Sequence, residues 1–225
     1  ITQTVAGVKQ LTSIEGKFKG VRQGTGVGDN RYSTHSRTTI TTSSKIIVMA
    51  AAEVWFLRAE AALRGFTSED VESCYKQGVT TSFAQWDASG VSEYLESENT
   101  PADYVDTFDK NFDAKATTSI TPKWDNTADN ETKLERIITQ KWLAIYPEGC
   151  EAWAEQRRTG YPKLFKVVVN NSSNAISTDD MIRRVFFNQD YITNNKPLYD
   201  ALVSKLGGLD TGGTRLWWDT GKNNF

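Results

Sequence analysis

The apolar residues between Ile46 and Leu63 recur at steps of three and four positions, which is the spacing of one face of an α-helix. Gly65 follows shortly after the last of them, at a position where a helix takes a left-handed cap. The pattern therefore predicts a helix over Ile46–Leu63. Its apolar stripe consists of Val48, Ala51, Ala52, Trp55, Ala59, Ala62 and Leu63.

A second stripe with the same spacing follows after a short turn. We expect this helix to begin near Thr67 or Ser68, because Glu69 and Asp70 suit the positive end of a helix dipole. Two helices that each have one apolar face and are joined by a short turn form a helical hairpin. The sequence therefore predicts a hairpin over residues 46–86. Its second stripe consists of Val71, Tyr75, Val79, Phe83 and Trp86.

The segment 131–165 carries the pattern of another hairpin. Its first helix is predicted over Glu131–Tyr146, and Pro147 ends it. The next helix is predicted over Cys150–Thr159, and Gly160 stands where a left-handed cap belongs. The apolar stripe of the first helix consists of Leu134, Ile137, Ile138, Trp142 and Ile145.

Three regions lack a helical pattern over most of their length. Residues 1–45 are rich in Gly, Ser and Thr, and their GTGVG segment has neither the glycine spacing nor the following helix of a nucleotide loop. Residues 87–130 are polar and broken by prolines, so we expect a short helix or two within long, variable loops. In residues 166–225, KVVVNN predicts a short strand and Pro197–Leu206 a short helix.

Composition limits the classes of protein that this chain can represent. Of its 225 residues, 38% are hydrophobic and 24% are charged, which is typical of a folded globular chain. The net charge of −2 and the scattered 26 Lys and Arg residues argue against nucleic acid, whose binding needs a basic stripe. The 11% of aromatic residues suits a sugar-binding surface, although aromatic residues also fill cores. The sequence leaves open whether Cys74 and Cys150 pair.

Acidic residues and the single histidine are the candidates for catalysis. Glu53 and Glu60 share one face of the first predicted helix, but a rise of about 10.5 Å over seven residues exceeds the spacing of glycosidase carboxylates. Arg64, four residues after Glu60, offers an ordinary helical ion pair. His35 lies in a Ser/Thr-rich loop, where we expect it to be solvated. These patterns favour a structural role for all of them.

The run DNTADNE, Asp125–Glu131, resembles a calcium-binding loop. It lacks glycine at the sixth position, and Arg136 stands where a bidentate glutamate should bind. The run is also typical of a helix N-terminus, with Asn130 or Thr127 as the cap. We predict no cofactor here and keep calcium as the alternative.

Several blocks occur in an order that resembles the SusD/RagB family, in particular its SusD-like starch-binding branch. The resemblance covers about residues 20–220. The blocks are EVWFLRAEAALRGF, YKQGVTTSFAQW, ITQKWLAIYPEGCEAWAEQRRTGYPKLF, RRVFFNQDYITNN and RLWWD.

The resemblance implies a mainly α fold, in which tetratricopeptide-like helical hairpins form an α–α superhelix with long irregular loops. It implies a surface lipoprotein of the outer membrane in Bacteroidetes-type bacteria. Members bind glycans and pass them to a SusC-like TonB-dependent transporter, and they are not enzymes.

The chain is shorter than the family pattern. Members are usually about twice its length and carry a lipid-bearing N-terminal cysteine, so residues 1–225 resemble a single SusD-like domain portion, the C-terminal half. We expect the lipid anchor to lie outside this chain and the helical half-scaffold to leave apolar faces bare.

Site residues divide into scaffold and ligand candidates. The family hallmarks are assigned to the scaffold, and Arg157 or Arg158 is predicted to form an ion pair with Glu60 or Glu151. These hallmarks are Trp55, Glu60, Trp142, Trp153, Arg157, Arg158 and Pro162. Ligand residues are predicted from chemistry, because aromatic faces stack on sugars and nearby amides and carboxylates bind hydroxyls. They are Asn30, Tyr32, Tyr104, Trp124, Asp125 and Asn126.

Two other functions fit the same pattern. A tetratricopeptide-type scaffold that binds a protein or peptide would share the helical hairpins, and burial of Trp124 and Tyr104 would favour it. A glycoside hydrolase that uses Glu53 and Glu60 ranks third.

Overall fold

The computed structural model describes residues 2–5, 8–11, 18–25, 32–33, 35–38, 40–44 and 46–225. Over these residues the chain is mainly helical, which confirms the predicted fold class. The helices are α1 (Ala51–Leu63), α2 (Val71–Gln85), α3 (Val91–Leu95), α4 (Asn130–Ala144), α5 (Gly149–Thr159), α6 (Gln189–Asn194) and α7 (Lys196–Leu206). A short antiparallel pair, β1 (Thr2–Val5) and β2 (Val8–Leu11), precedes them.

The chain divides into two compact units. The first comprises residues 1–39, 103–115 and 165–220, and the second comprises residues 40–102, 116–164 and 221–225. The helices α1 to α5 belong to the second unit, whereas α6 and α7 belong to the first. The expectation of a single domain portion remains a prediction.

The second unit is built around the hairpin of α1 and α2, with α4 packed against it. Close approach of α1 and α2 depends on Gly78, because a Cβ atom there would lie 2.8 Å from the buried ring of Phe56. The core cluster contains Ala52, Phe56, Ala59, Cys74, Tyr75, Val79, Trp124, Ile137 and Ala144. Both cysteines are free, Cys74 within this core and Cys150 on the surface.

Helix starts differ from the predictions. The start of α1 at Ile46 is wrong, since the helix begins at Ala51 and the side chains of Ile46 and Val48 are 90% and 91% exposed. Asp70 caps α2 by accepting a hydrogen bond from the Ser73 amide at 2.8 Å.

The cap of α4 also differs from the prediction. Asp129 accepts a hydrogen bond from the amide of Thr132 at 2.7 Å. The proposal of Asn130 or Thr127 as the cap is therefore wrong, because the carboxylate one residue earlier reaches the free amides of the first turn.

The first unit holds the C-terminal segment. The predicted KVVVNN strand is not formed, although the amides of Val168 and Val169 donate to the carbonyls of Gln23 and Gly24 at 3.2 and 2.9 Å. Helix α7 confirms the Pro197–Leu206 prediction within one residue, whereas α6 was not predicted. Among the described residues, no helix is long and apolar enough to cross a membrane.

Candidate functional site

The predicted ligand residues fall into two separate places. Tyr32 and Tyr104 belong to the first unit, whereas Trp124, Asp125 and Asn126 belong to the second. Asn30 lies outside the described residues.

Tyr32 and Tyr104 meet at a single carboxylate. Both hydroxyl groups donate to Oδ2 of Asp106, over 3.1 Å from Tyr32 and 3.3 Å from Tyr104. The other oxygen of Asp106 accepts from the amides of Phe108 and Asp109. Burial and the negative charge of Asp106 raise the pKa of Tyr104. These three side chains, the tyrosine–aspartate cluster, hold together the loops of the first unit.

The rings of this cluster are in contact with other side chains. The ammonium of Lys19 lies 4.4 Å from the centroid of the Tyr104 ring, and the Phe165 ring lies 6.0 Å away. The rings of His35 and Phe108 each form a T-shaped contact with the ring of Tyr32, with centroids 5.0 and 5.1 Å apart. Much of each tyrosine ring is therefore used in internal packing.

His35 is buried rather than solvated, so the sequence-based expectation is wrong. Its Nδ1 lies 2.9 Å from the carbonyl of Gly20, and its Nε2 lies 2.9 Å from Oγ1 of Thr107. Because a carbonyl only accepts, Nδ1 is the donor and the imidazole joins two loop segments. This partner lies 72 residues away from His35, and local composition gives no signal for it.

Trp124 lies in the core of the second unit. Its side chain is 8% exposed, and its ring packs on Tyr75 with centroids 5.1 Å apart. Its indole Nε1 donates to Oδ1 of Asn126 over 2.9 Å, and the Asn126 amide donates to Glu72 over 2.7 Å. The indole thus offers little surface for stacking on a sugar.

Asp125 shapes the turn before α4. Its Oδ1 accepts from the amide of Thr127 at 2.8 Å and from its hydroxyl at 2.6 Å, and these bonds lower the pKa of the exposed carboxyl. Among the described residues, no three histidine, cysteine or acidic side chains are grouped so that they could hold a metal ion.

Glu53 and Glu60 both lie in a buried charge network of the second unit. Lys141, whose side chain is 1% exposed, stands at its centre. Its ammonium lies 3.3 Å from Glu53, 3.0 Å from Glu151 and 3.4 Å from Glu155. Burial lowers the pKa of Lys141, but the three carboxylates outweigh this effect and raise it overall.

Arg158 joins the C-terminal ends of α1 and α5. Its two terminal nitrogens donate to the two oxygens of Glu60 over 2.6 Å each, and it also binds Glu155. Arg64 adds a 2.8 Å bond to Glu60. Burial raises the pKa of Glu60, but the two guanidinium groups outweigh it and lower the pKa overall. The predicted ion pair of Arg158 with Glu60 is confirmed.

Arg157 has a different role from its neighbour. Its guanidinium stacks 3.7 Å from the centroid of the Trp153 ring, on the same helix. Gly160 ends α5 in the left-handed region, with a φ of 79°. The RRTG segment therefore has a structural explanation for both arginines and for its glycine.

The structure also reveals features that the sequence interpretation missed. Trp86 was assigned to the apolar stripe of α2, yet it lies on the surface beside the exposed ring of Tyr146, with centroids 6.4 Å apart. In the first unit, an open cavity of about 310 Å³ is lined mainly by polar residues. These are Asn174, Ala175, Ser177, Asp180, Leu209, Thr211, Gly213 and Thr214.

Comparisons with known proteins point to one family. The profile of the SusD-like family, described as SusD and RagB outer membrane lipoproteins, matches residues 4–219. A solved SusD homologue from Bacteroides vulgatus is 53% identical, with a TM-score of 0.81 over 88% of this chain and 41% of its own. A search of curated proteins found no match.

Two further solved structures are similar. A chitin-binding SusD homologue from Flavobacterium johnsoniae is 46% identical, with a TM-score of 0.76 over 80% of this chain and 38% of its own. A SusD homologue from Bacteroides thetaiotaomicron is 37% identical, with a TM-score of 0.84 over 92% of this chain and 46% of its own. The chain thus spans less than half the length of each of these relatives.

Proposed function

The chain belongs to the SusD-like family of outer-membrane lipoproteins, and from this premise we propose that it is part of a glycan-binding protein on the bacterial surface. In this proposal the protein binds an oligosaccharide or polysaccharide without cleaving it. It then delivers the glycan to a SusC-like TonB-dependent transporter, and a lipid anchor holds it to the membrane.

Two observations carry the glycan proposal. The family profile extends over nearly the whole chain, and a relative that is 46% identical is described as chitin-binding. Neutral pyranose polymers, including N-acetylated ones, are therefore the first ligand class to test. The delivery step and the transporter rest on the family alone.

The absence of catalysis is supported by the state of the two candidate carboxylates. Glu53 pairs with Lys141, and Glu60 accepts from both Arg158 and Arg64. A general acid needs a raised pKa, whereas that of Glu60 is lowered. We therefore propose that incubation with a bound glycan releases no reducing ends.

The six predicted ligand residues remain a prediction. Within it, the exposed Asp125 and Asn126 are better placed for sugar hydroxyls than Trp124, which is buried. Tyr32 and Tyr104 would contribute their ring edges, because their hydroxyls already bind Asp106.

Affinity electrophoresis of the protein that contains this chain tests the glycan proposal. Native gels are cast with single polysaccharides, including chitin derivatives, starch, neutral glucans and uronate polymers. Retardation by at least one polymer is expected. Normal migration in every gel would exclude polysaccharide binding.

A peptide-binding scaffold is the second candidate function. Burial of Trp124 within the helical core favours it, since a buried indole cannot form part of an aromatic platform. Calorimetric titration with a mixed peptide library decides between the two functions. Heat of binding on addition of the peptides, together with normal migration in every polysaccharide gel, would favour the peptide-binding scaffold.

A further inference from the structure

Trp86 and Tyr146 form an aromatic pair on the surface of the second unit. Trp86 follows the last residue of α2, and Tyr146 lies two residues beyond α4. The two side chains are 47% and 46% exposed, and their ring centroids are 6.4 Å apart. This separation is within the range of interacting aromatic rings, and the two ring planes are tilted by 50° to each other, so the pair presents two adjacent aromatic faces to solvent.

The backbone on both sides of the pair is fixed by the helix ends. The amide of Trp86 donates to the carbonyl of Ser82 at 3.2 Å, and that of Ala88 donates to Phe83 at 2.9 Å. Next to Tyr146, Ile145 is fully buried, and its carbonyl accepts from the Glu148 amide at 2.8 Å. The rings are therefore presented by a packed scaffold, which limits the entropy lost when a ligand binds.

The polar tips of both rings are open. Among the described residues, no hydrogen-bond partner is found for the indole Nε1 of Trp86 or the hydroxyl of Tyr146. In contrast, Trp124 and Tyr104 use these groups inside the fold. A ring that offers an apolar face and an unused donor suits a pyranose, which has a C–H face and a rim of hydroxyls.

The charged residues near the aromatic pair favour a neutral sugar over an acidic one. The nearest charged residues along the chain are the acidic Asp87 and Glu148, directly after Trp86 and two residues after Tyr146. The last turn of α2 has no basic residue, and Lys141 in α4 is enclosed by three carboxylates. An acidic sugar would thus meet like charge, which disfavours uronates.

We propose that Trp86 and Tyr146 form a stacking site for a neutral pyranose of an oligosaccharide. This inference rests on the proposed glycan-binding function and gives it a location and a ligand class. Leu143, which is half exposed, lies in the last turn of α4, three residues before Tyr146. The site differs from all six positions that sequence reasoning selected.

The test compares three variants of the full protein in affinity gels with neutral polysaccharides and with a uronate polymer. The double variant Trp86→Ala, Tyr146→Ala removes both rings. Trp86→Phe, Tyr146→Phe keeps two rings and removes their polar tips. Trp217→Ala removes a nearly fully exposed tryptophan of the first unit and serves as the matched control.

We expect the wild-type protein to bind a neutral polymer at least tenfold more tightly than the uronate. The affinity of the alanine double variant for the neutral polymer should be lower by about tenfold or more, since two stacking contacts are lost. The phenylalanine variant should retain most of the binding, and Trp217→Ala should retain all of it. Melting temperatures of all variants check that each is folded.

The outcomes distinguish a failure of the proposed stacking site from a failure of the proposed glycan-binding function. Unchanged binding of the folded alanine variant overturns the stacking site and leaves the glycan-binding function standing. Stronger binding of the uronate than of the neutral polymer overturns the ligand class. No retardation of the wild-type protein by any polymer overturns the proposed function and the site together.

Discussion

At the residue scale, the buried charges decide the stability of the second unit. Lys141 offsets Glu53 and Glu155, both of which are largely buried. Replacement by an uncharged residue would leave the buried Glu53 without its lysine and would leave Glu155 with Arg158 as its remaining cation, at a cost of about 3–5 kcal/mol. Lys141→Met should therefore lower the free energy of unfolding in urea by this amount. Lys115→Met, at an exposed lysine that pairs with Asp103, should change it by less than about 1 kcal/mol.

Arg158 should affect stability without affecting ligand binding. Its side chain is 39% exposed, so solvent screens part of its pairing with Glu60. Glu60 also keeps Arg64 when Arg158 is removed. We expect Arg158→Ala to destabilise the protein by about 2 kcal/mol, with unchanged affinity of the folded fraction for its ligand. Lost affinity at an unchanged melting temperature would place Arg158 in a binding site.

The pairing of Glu60 predicts how stability varies with pH. The ordinary pKa of a glutamate is 4.5, and the pKa of Glu60 in the folded protein is lower. The stability that Glu60 contributes is therefore complete above pH 4.5. That stability is lost as the pH falls below 4.5 and through the folded pKa. Glu60→Gln should therefore flatten the dependence of unfolding free energy on pH below 5. Glu93→Gln, which makes the same replacement at an exposed position of α3, is the matched control.

The same scale shows which contacts can be predicted from sequence. The pairing of Arg158 with Glu60 was predictable because helical spacing places both residues at helix ends. The burial of His35 and Trp124 was not, because their contacts join segments that are distant in sequence. The assignment of Trp86 to the buried face of α2 is wrong because the apolar spacing continues to Trp86, whereas the core ends one turn earlier.

At the element scale, the end of α5 depends on one glycine. Gly160 has a φ of 79°, a conformation that costs a residue with a Cβ atom about 1–2 kcal/mol. Gly160→Ala should destabilise the protein by this amount, measured by thermal unfolding. Gly149→Ala is the matched control, because it adds the same methyl group at the helical start of α5, with open space around it. It should be neutral or slightly stabilising; equal destabilisation by both changes would contradict the argument.

Helices with strong periodicity and clear stop signals were predicted best. The ends of α1, α5 and α7 follow from Gly65, Gly160 and Gly207, all of which have positive φ. The start of α1 was placed five residues too early, because Ile46 and Val48 continue the apolar spacing although they lie outside the helix. Periodicity records which residues are apolar, but it does not record what covers them.

At the scale of the whole molecule, the chain exposes apolar surface that a stable monomer would cover. Ile46, Val48 and Met49 precede α1, and Val54 and Leu57 follow on its outer face, all with more than a third of their surface open to solvent. The opposite face of α1 carries Phe56 and Ala59 of the core. A helix that is apolar on both faces is normally enclosed. The related chains are more than twice as long as the part that this chain matches.

This surface predicts the behaviour of residues 1–225 when they are produced alone. Contiguous exposed apolar patches drive association in water, so we expect the chain to form dimers or larger species as its concentration rises. Ile46→Lys, Val48→Lys should shift the weight-average mass toward 25.2 kDa in analytical ultracentrifugation. Val105→Lys, at a 60% exposed position in the first unit, should leave association unchanged. A wild-type chain that stays monomeric at high concentration would mean that polar neighbours suffice to solvate this face, and α1 would then need no covering partner.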